Sequence, residues 1–161
     1  MLEEVDARIV GILADDGRCS FTDLAERIGL SVSAVHQRVR RLEERGVILG
    51  YGARLDPELV GLPLTAFVSL TPIDPAAPDD YPQRLADLSA IESCYSVAGT
   101  ESYIIQVRVT SPAALEALLA QIRMRAGVST HTTVVLSTPF EKRNYLDGVP
   151  GTAADRAPRT P

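Results

Sequence analysis

The amino-acid sequence predicts an α+β chain in which an all-helical N-terminal part gives way to a sheet built in the order βαββαβ. Three observations lead there. Before Gly46, apolar residues recur at helical spacing in three segments, each closed by a glycine. Between Gly46 and Gly61 the pattern is broken at Gly50, Gly52 and Pro57. Beyond Gly61, four short runs rich in Val, Ile, Thr and Tyr are interleaved with two helical patterns.

The elements follow in chain order. Val5, Ile9, Ile12 and Leu13 mark a first helix, ended by "DDGR". In "SFTDLAERIG", Ser20 or Thr22 is suited to cap a second helix, Leu24, Ala25 and Ile28 form its apolar face, and Gly29 suits its end. In "LSVSAVHQRVRRLEERG", Ser31 can cap, Val32, Val35, Val39 and Leu42 make an apolar stripe, and Gly46 ends the helix. "VILGYGARLDPELVGL" then reads as a short strand and a hinge. After it come strand "LTAFVSLTPI", helix "DYPQRLADLSA", strands "IESCYSVAG" and "YIIQVRV", helix "PAALEALLAQIRMR" and strand "VSTHTTVVLST". Asp79 and Asp80 are placed to cap the first of these helices. This order gives an antiparallel four-stranded sheet with both helices on one face, the ferredoxin-like arrangement. The other face needs cover, and a second copy of the chain is the economical one. Expected boundaries are 1–50 for the helical domain, 51–61 for the hinge, 62–140 for the sheet domain and 141–161 for a mobile tail without apolar periodicity.

Composition narrows the functional classes. The chain has 161 residues and 45% hydrophobic residues, enough to bury a core. No apolar run reaches the ~18 residues of a membrane helix, and the start "MLEEVDARIV" is acidic where a secretory signal is basic, so a cytoplasmic protein is expected. Cys19 and Cys94 show no metal-ligand spacing and read as reduced thiols. The net charge of −5 is unevenly spread: residues 1–17 carry −4, residues 18–54 carry +3 and the rest carry −4. Within the positive region, His36 to Leu42 reads "HQRVRRL", with three arginines and no acid.

Two short helices joined through a glycine turn form a helix-turn-helix, whose second helix enters the major groove of DNA. With the apolar stripe inward, Ser33, Ala34, His36 and Gln37 are candidates to approach base edges and Arg38, Arg40 and Arg41 to contact phosphates, and the capping Ser31 is a further candidate for DNA binding. A solvated basic face on a purely structural helix is the alternative, and the preceding helix and turn favour double-stranded DNA.

The segment "DDGRCSFTDLAERIGLSVSAVHQRVRRLEERGVILGYGARLDPELVG", with "VAGTESYIIQVRV" and "VSTHTTVVLS", resembles the Lrp/AsnC family of feast/famine transcription regulators over nearly the whole chain except the tail. "ESCYSVAGTESYIIQVRV" is similar in particular to actinobacterial members. The resemblance implies a winged-type helix-turn-helix domain, a hinge, and a ligand-sensing domain that dimerises and often assembles dimers into a ring of eight. It also implies a small effector, usually an amino acid, near contacts between dimers, with no other cofactor. On that mapping the effector region covers Gly99, Thr100, Glu101, Ser102 and Tyr103, with Thr130, Thr132 and Thr133 as contributors. A glycine-containing turn offers backbone N–H groups to a carboxylate, and an acidic side chain receives an ammonium group. Many relatives place Asp just before the aromatic, where this chain has Ser102, leaving Glu101 as the nearest acid.

Two rival functions compete with this one. An enzyme is disfavoured because His36 and His131 cannot be assembled into a nucleophile-base set, and His131 reads as an ordinary strand histidine. An effector-independent nucleoid-architectural protein would use the same basic helix and oligomer.

Overall fold

A computed structural model describes residues 2–141, so the tail read at 141–161 lies outside the described residues apart from Glu141. The chain divides into one unit built on Met1–Ala53 and another on Arg54–Pro139.

The first unit holds α1 (Glu4–Asp15), α2 (Phe21–Ile28) and α3 (Val32–Glu44). Residues spaced three and four apart put Ile9 and Ile12 of α1, Leu24, Ala25 and Ile28 of α2, and Val35, Val39 and Leu42 of α3 into one buried cluster. Val32 departs from the expected stripe. It sits in the first turn of α3, the buried layer begins at Val35, and Val32 remains 45% exposed. The short strand expected at "VILGYG" does not form among the described residues; these residues are bend and irregular chain, with Leu49 exposed. A lone strand has no neighbour to complete its hydrogen bonds.

The second unit holds β1 (Leu64–Pro72), α4 (Tyr81–Leu85), β2 (Ile91–Ser96), β3 (Tyr103–Val109), α5 (Pro112–Ala126) and β4 (Val128–Val134). The sheet order is β2-β3-β1-β4, and β1 pairs antiparallel with both β3 and β4, as β2 does with β3. This is the ferredoxin-like α+β topology. Strand alternation places Ala66, Val68 and Leu70 of β1 and Ile105, Val107 and Val109 of β3 against Leu115, Leu118 and Ile122 of α5. Burying each large apolar side chain in that cluster contributes about 1.5–3 kcal/mol. The opposite face carries Thr65, Phe67 and Ser69 in register with Arg108, Gln106 and Ile104. It is partly polar, since Glu92 accepts hydrogen bonds from Gln106 (3.1 Å) and Arg108 (2.5 Å) there.

Helix α4 is about half its expected length. Its hydrogen bonding tightens after Leu85, where the Leu88 N–H donates to the Leu85 carbonyl at 3.0 Å, a three-residue spacing that ends a helix. Neither acid caps it through its side chain as expected. Asp80 stands at the N-cap position without a side-chain cap bond and pairs with Arg84 at 2.8 Å, while Asp79 accepts a hydrogen bond from the Tyr103 hydroxyl at 2.9 Å. Both free cysteines are present as thiols, Cys19 half-buried and Cys94 exposed.

Candidate DNA interface and effector turn

Helices α2 and α3 are set by their ends. The Ser20 hydroxyl oxygen accepts from the Asp23 N–H at 3.1 Å and caps α2; Thr22 lies inside the helix. Gly29 closes α2 at φ 79°, a left-handed conformation that costs a side chain but not glycine, and its N–H donates to the Ala25 carbonyl. Two residues later the Ser31 hydroxyl accepts from the Ala34 N–H at 3.3 Å and starts α3. The turn between the helices is therefore short and capped on both sides. Ser31, a candidate DNA contact, is committed to the cap and also hydrogen-bonds the Ser33 hydroxyl at 3.2 Å.

On α3, Ser33, Gln37, Arg40 and Arg41 are exposed, and at about 100° per residue they fall within about 100° of the helix circumference. Ala34 is half-buried at the edge of that arc. His36 is exposed on the α2 side, its ring 5.0 Å from that of Phe21 in a tilted contact. Small and amide side chains on the N-terminal half and guanidinium groups on the C-terminal half suit base edges and phosphates respectively.

The three arginines have different fates. Arg41 is exposed and makes no ion pair among the described residues. Arg40 donates Nε–H to the Glu44 carboxylate at 2.8 Å, an exposed i,i+4 pair. Arg38, expected among the phosphate contacts, is turned to α1: its Nη1 donates to Asp6 Oδ1 at 2.7 Å and to Glu3 Oε2 at 2.9 Å. The hydrogen bond to Asp6, then that to Glu3, raises the guanidinium pKa further. Arg38 therefore faces α1 through Nη1, whereas Arg40 and Arg41 are on the exposed arc.

In the second unit, the candidate effector turn joins β2 to β3 and is tied down by its backbone. The Val97 N–H donates to the Ser102 carbonyl and the Ser102 N–H to the Leu70 carbonyl, both at 3.0 Å. Gly99 and Thr100 are exposed, and the Glu101 carboxylate folds back so that a Cβ on Gly99 would lie 3.6 Å from it. Tyr103 points into the helix-side core, edge-on to Tyr81 at 5.8 Å. Its hydrogen bond to Asp79, with burial second, lifts the phenol pKa above its ordinary value.

The three threonines do not form one group. Thr130 and Tyr103 both register with Leu70, two inter-strand spacings apart, or about 10 Å. Thr130 accepts from Arg123 Nη1 at 3.2 Å. Thr132 registers with Val68, and Thr133, paired with Phe67, projects from the opposite face. Sequence reasoning missed Phe21, Arg123 and Asp79 beside these positions. The Asp79–Tyr103 bond spans 24 residues, a separation that no local pattern reports.

A capped helix-turn-helix joined to a ferredoxin-like domain with an exposed turn defines a class, the DNA-binding regulators with a separate ligand-binding domain. Residues 2–48 match the winged helix-turn-helix DNA-binding family and residues 65–145 match the Lrp/AsnC ligand-binding domain. The chain is 54% identical to the HTH-type transcriptional regulator LrpA of Mycobacterium tuberculosis over 90% of its own length and 97% of that protein. It belongs to the Lrp/AsnC family of transcriptional regulators. Among solved structures it is similar to the feast or famine regulatory protein of M. tuberculosis complexed with L-methionine. That match has a TM-score of 0.89 and 53% identity, covering 91% of this chain and 99% of that one. A transcriptional regulator of Neisseria meningitidis in complex with L-Met is also similar (TM-score 0.81, 28% identity, 88% and 94% covered). Among the described residues no helix is long and apolar enough to cross a membrane, and no group of His, Cys, Asp and Glu could hold a metal ion.

Proposed function

We propose that this regulator reads double-stranded DNA with the exposed arc of α3 and changes its assembly or DNA affinity when an amino acid binds at the β2–β3 turn. The arc carries the first half of the reading. Ser33 and Gln37 face base edges, Arg41 and the Glu44-paired Arg40 face phosphates, and caps at Ser20 and Ser31 fix the helices beneath them.

The effector half rests on Gly99, Thr100, Glu101 and Ser102, with Tyr103 and Thr130 in the row behind them. Backbone N–H groups at the turn would receive the carboxylate, and Glu101 the ammonium group. The related structures bound to methionine support an apolar α-amino acid as the ligand class. Dimerisation through the helix-free sheet face is supported by the exposure of Phe67 and Tyr95 there, and an assembly of four dimers follows the family pattern. The chain is read as a cytoplasmic regulator without catalysis; His36 makes a tilted contact with Phe21 and His131 lies exposed on β4.

The test is a thermal-shift screen against the twenty amino acids, followed by DNA binding with and without each hit. A ligand at one hundred times its Kd stabilises by about 2.7 kcal/mol, enough to move a melting midpoint by several degrees. One or a few apolar amino acids should shift the midpoint and alter DNA affinity. No shift with any of the twenty contradicts the effector half alone.

A further inference from the structure

We propose that Arg38 is a positioning residue for DNA reading: by bridging α3 to Asp6 of α1 and to Glu3 at the α1 N-cap it fixes the rotation of α3, and with it the direction in which Ser33, Gln37, Arg40 and Arg41 point. The proposal rests on α3 being the DNA-contacting helix.

Arg38 stands about 100° around α3 from Gln37, on the flank between the reading arc and the core. Its Nη1 reaches two carboxylates at once, Asp6 at 2.7 Å and Glu3 at 2.9 Å. Asp6 is only 8% exposed, and a buried carboxylate without a partner is costly, so the bridge holds α1 and α3 at one mutual setting. The opposite flank of α3 is held by the His36 contact to Phe21 of α2, with ring centroids 5.0 Å apart. The reading arc lies between these two lateral restraints.

Small rotations matter at this distance. Turning a helix by about 10° moves an atom at its outer radius of about 6 Å by about 1 Å. A hydrogen bond to a base edge tolerates roughly half that. Losing the bridge should therefore weaken sequence-specific binding while leaving the general attraction to phosphates intact, since Arg38 supplies none of it.

The probes are a duplex selected by the wild-type protein from a random-sequence pool and a scrambled duplex of the same composition. The decisive variant is Asp6→Asn, which keeps the Glu3 link and so the fold, monitored by circular dichroism. If Arg38 contacted phosphate, removing a competing carboxylate would strengthen binding. Positioning requires the opposite, a loss of about tenfold on the selected duplex with little change on the scrambled one. Arg38→Ala should behave likewise and leave the salt dependence of binding unchanged, whereas Arg41→Ala should reduce the slope of log K against log salt by about 0.9. The exchange Asp6→Arg with Arg38→Asp should restore preference for the selected duplex, which no phosphate-contacting role for Arg38 allows. Unchanged or tighter binding by Asp6→Asn, or a flattened salt slope with Arg38→Ala, overturns the proposal. An unchanged slope with Arg41→Ala contradicts instead the DNA role of α3 on which it stands.

Discussion

The three arginines of "HQRVRRL" are chemically alike, and position alone separates them. Arg41 projects into solvent, Arg40 is held by Glu44 one turn later, and Arg38 is drawn to α1. An exposed i,i+4 pair is worth only a few tenths of a kcal/mol, so DNA can compete for Arg40 where it cannot easily compete for Arg38. Glu44 also places a negative charge near the end of the reading arc. Glu44→Gln should therefore tighten DNA binding by about two- to fivefold at low salt, with the gain shrinking as salt rises. Titration of a fluorescent duplex over a salt series checks this, and weaker binding would show that Glu44 instead steadies Arg40 for contact. At the effector turn the residue in question is Ser102, whose backbone is held to Leu70 while its hydroxyl cannot neutralise an ammonium group. Ser102 stands out from local sequence alone, but Asp79, brought to Tyr103 from another segment, is legible only in three dimensions.

At the scale of elements, legibility followed the locality of the signal. Caps and glycine stops are local: Ser20, Ser31 and Gly29 do what their types and positions announce. Strand β3 was readable because its apolar run is bounded by turn residues on both sides. Where structure depends on a distant partner, the sequence misleads. The run at "VILGYG" has strand composition but no neighbour within its own unit, and Thr130, Thr132 and Thr133 look like one cluster until the pleat sends Thr133 to the other face. Helix α4 kept its apolar spacing but gave up half its length to a tightened turn. The α2 stop gives a clean test. Nothing lies within 4 Å of a Cβ built on Gly29, so Gly29→Ala would meet no clash and would cost only the left-handed backbone at φ 79°. A destabilisation of about 1 kcal/mol is expected, seen as a fall of several degrees in the melting of the N-terminal unit. An unchanged midpoint would mean that the α2–α3 turn does not depend on this conformation.

For the whole molecule, the two units have separate cores, and in the proposed function one presents a helix to DNA while the other presents a turn to a small molecule and a sheet face to another copy. Coupling between them requires that the ligand bind one assembly more tightly than another, since equal affinity for both shifts nothing. Both the reading of bases and its control by a ligand presuppose that the exposed arc of α3 is what meets DNA. The most direct measurement is the affinity of the wild-type protein and of the Arg40→Ala, Arg41→Ala double variant for a duplex selected by the wild type, across a salt series. The arc predicts much weaker binding by the variant and a log K against log salt slope reduced by about two, roughly one unit for each phosphate that an arginine no longer neutralises. Equal affinity and an equal slope would place the DNA-binding surface elsewhere on the molecule and contradict the account.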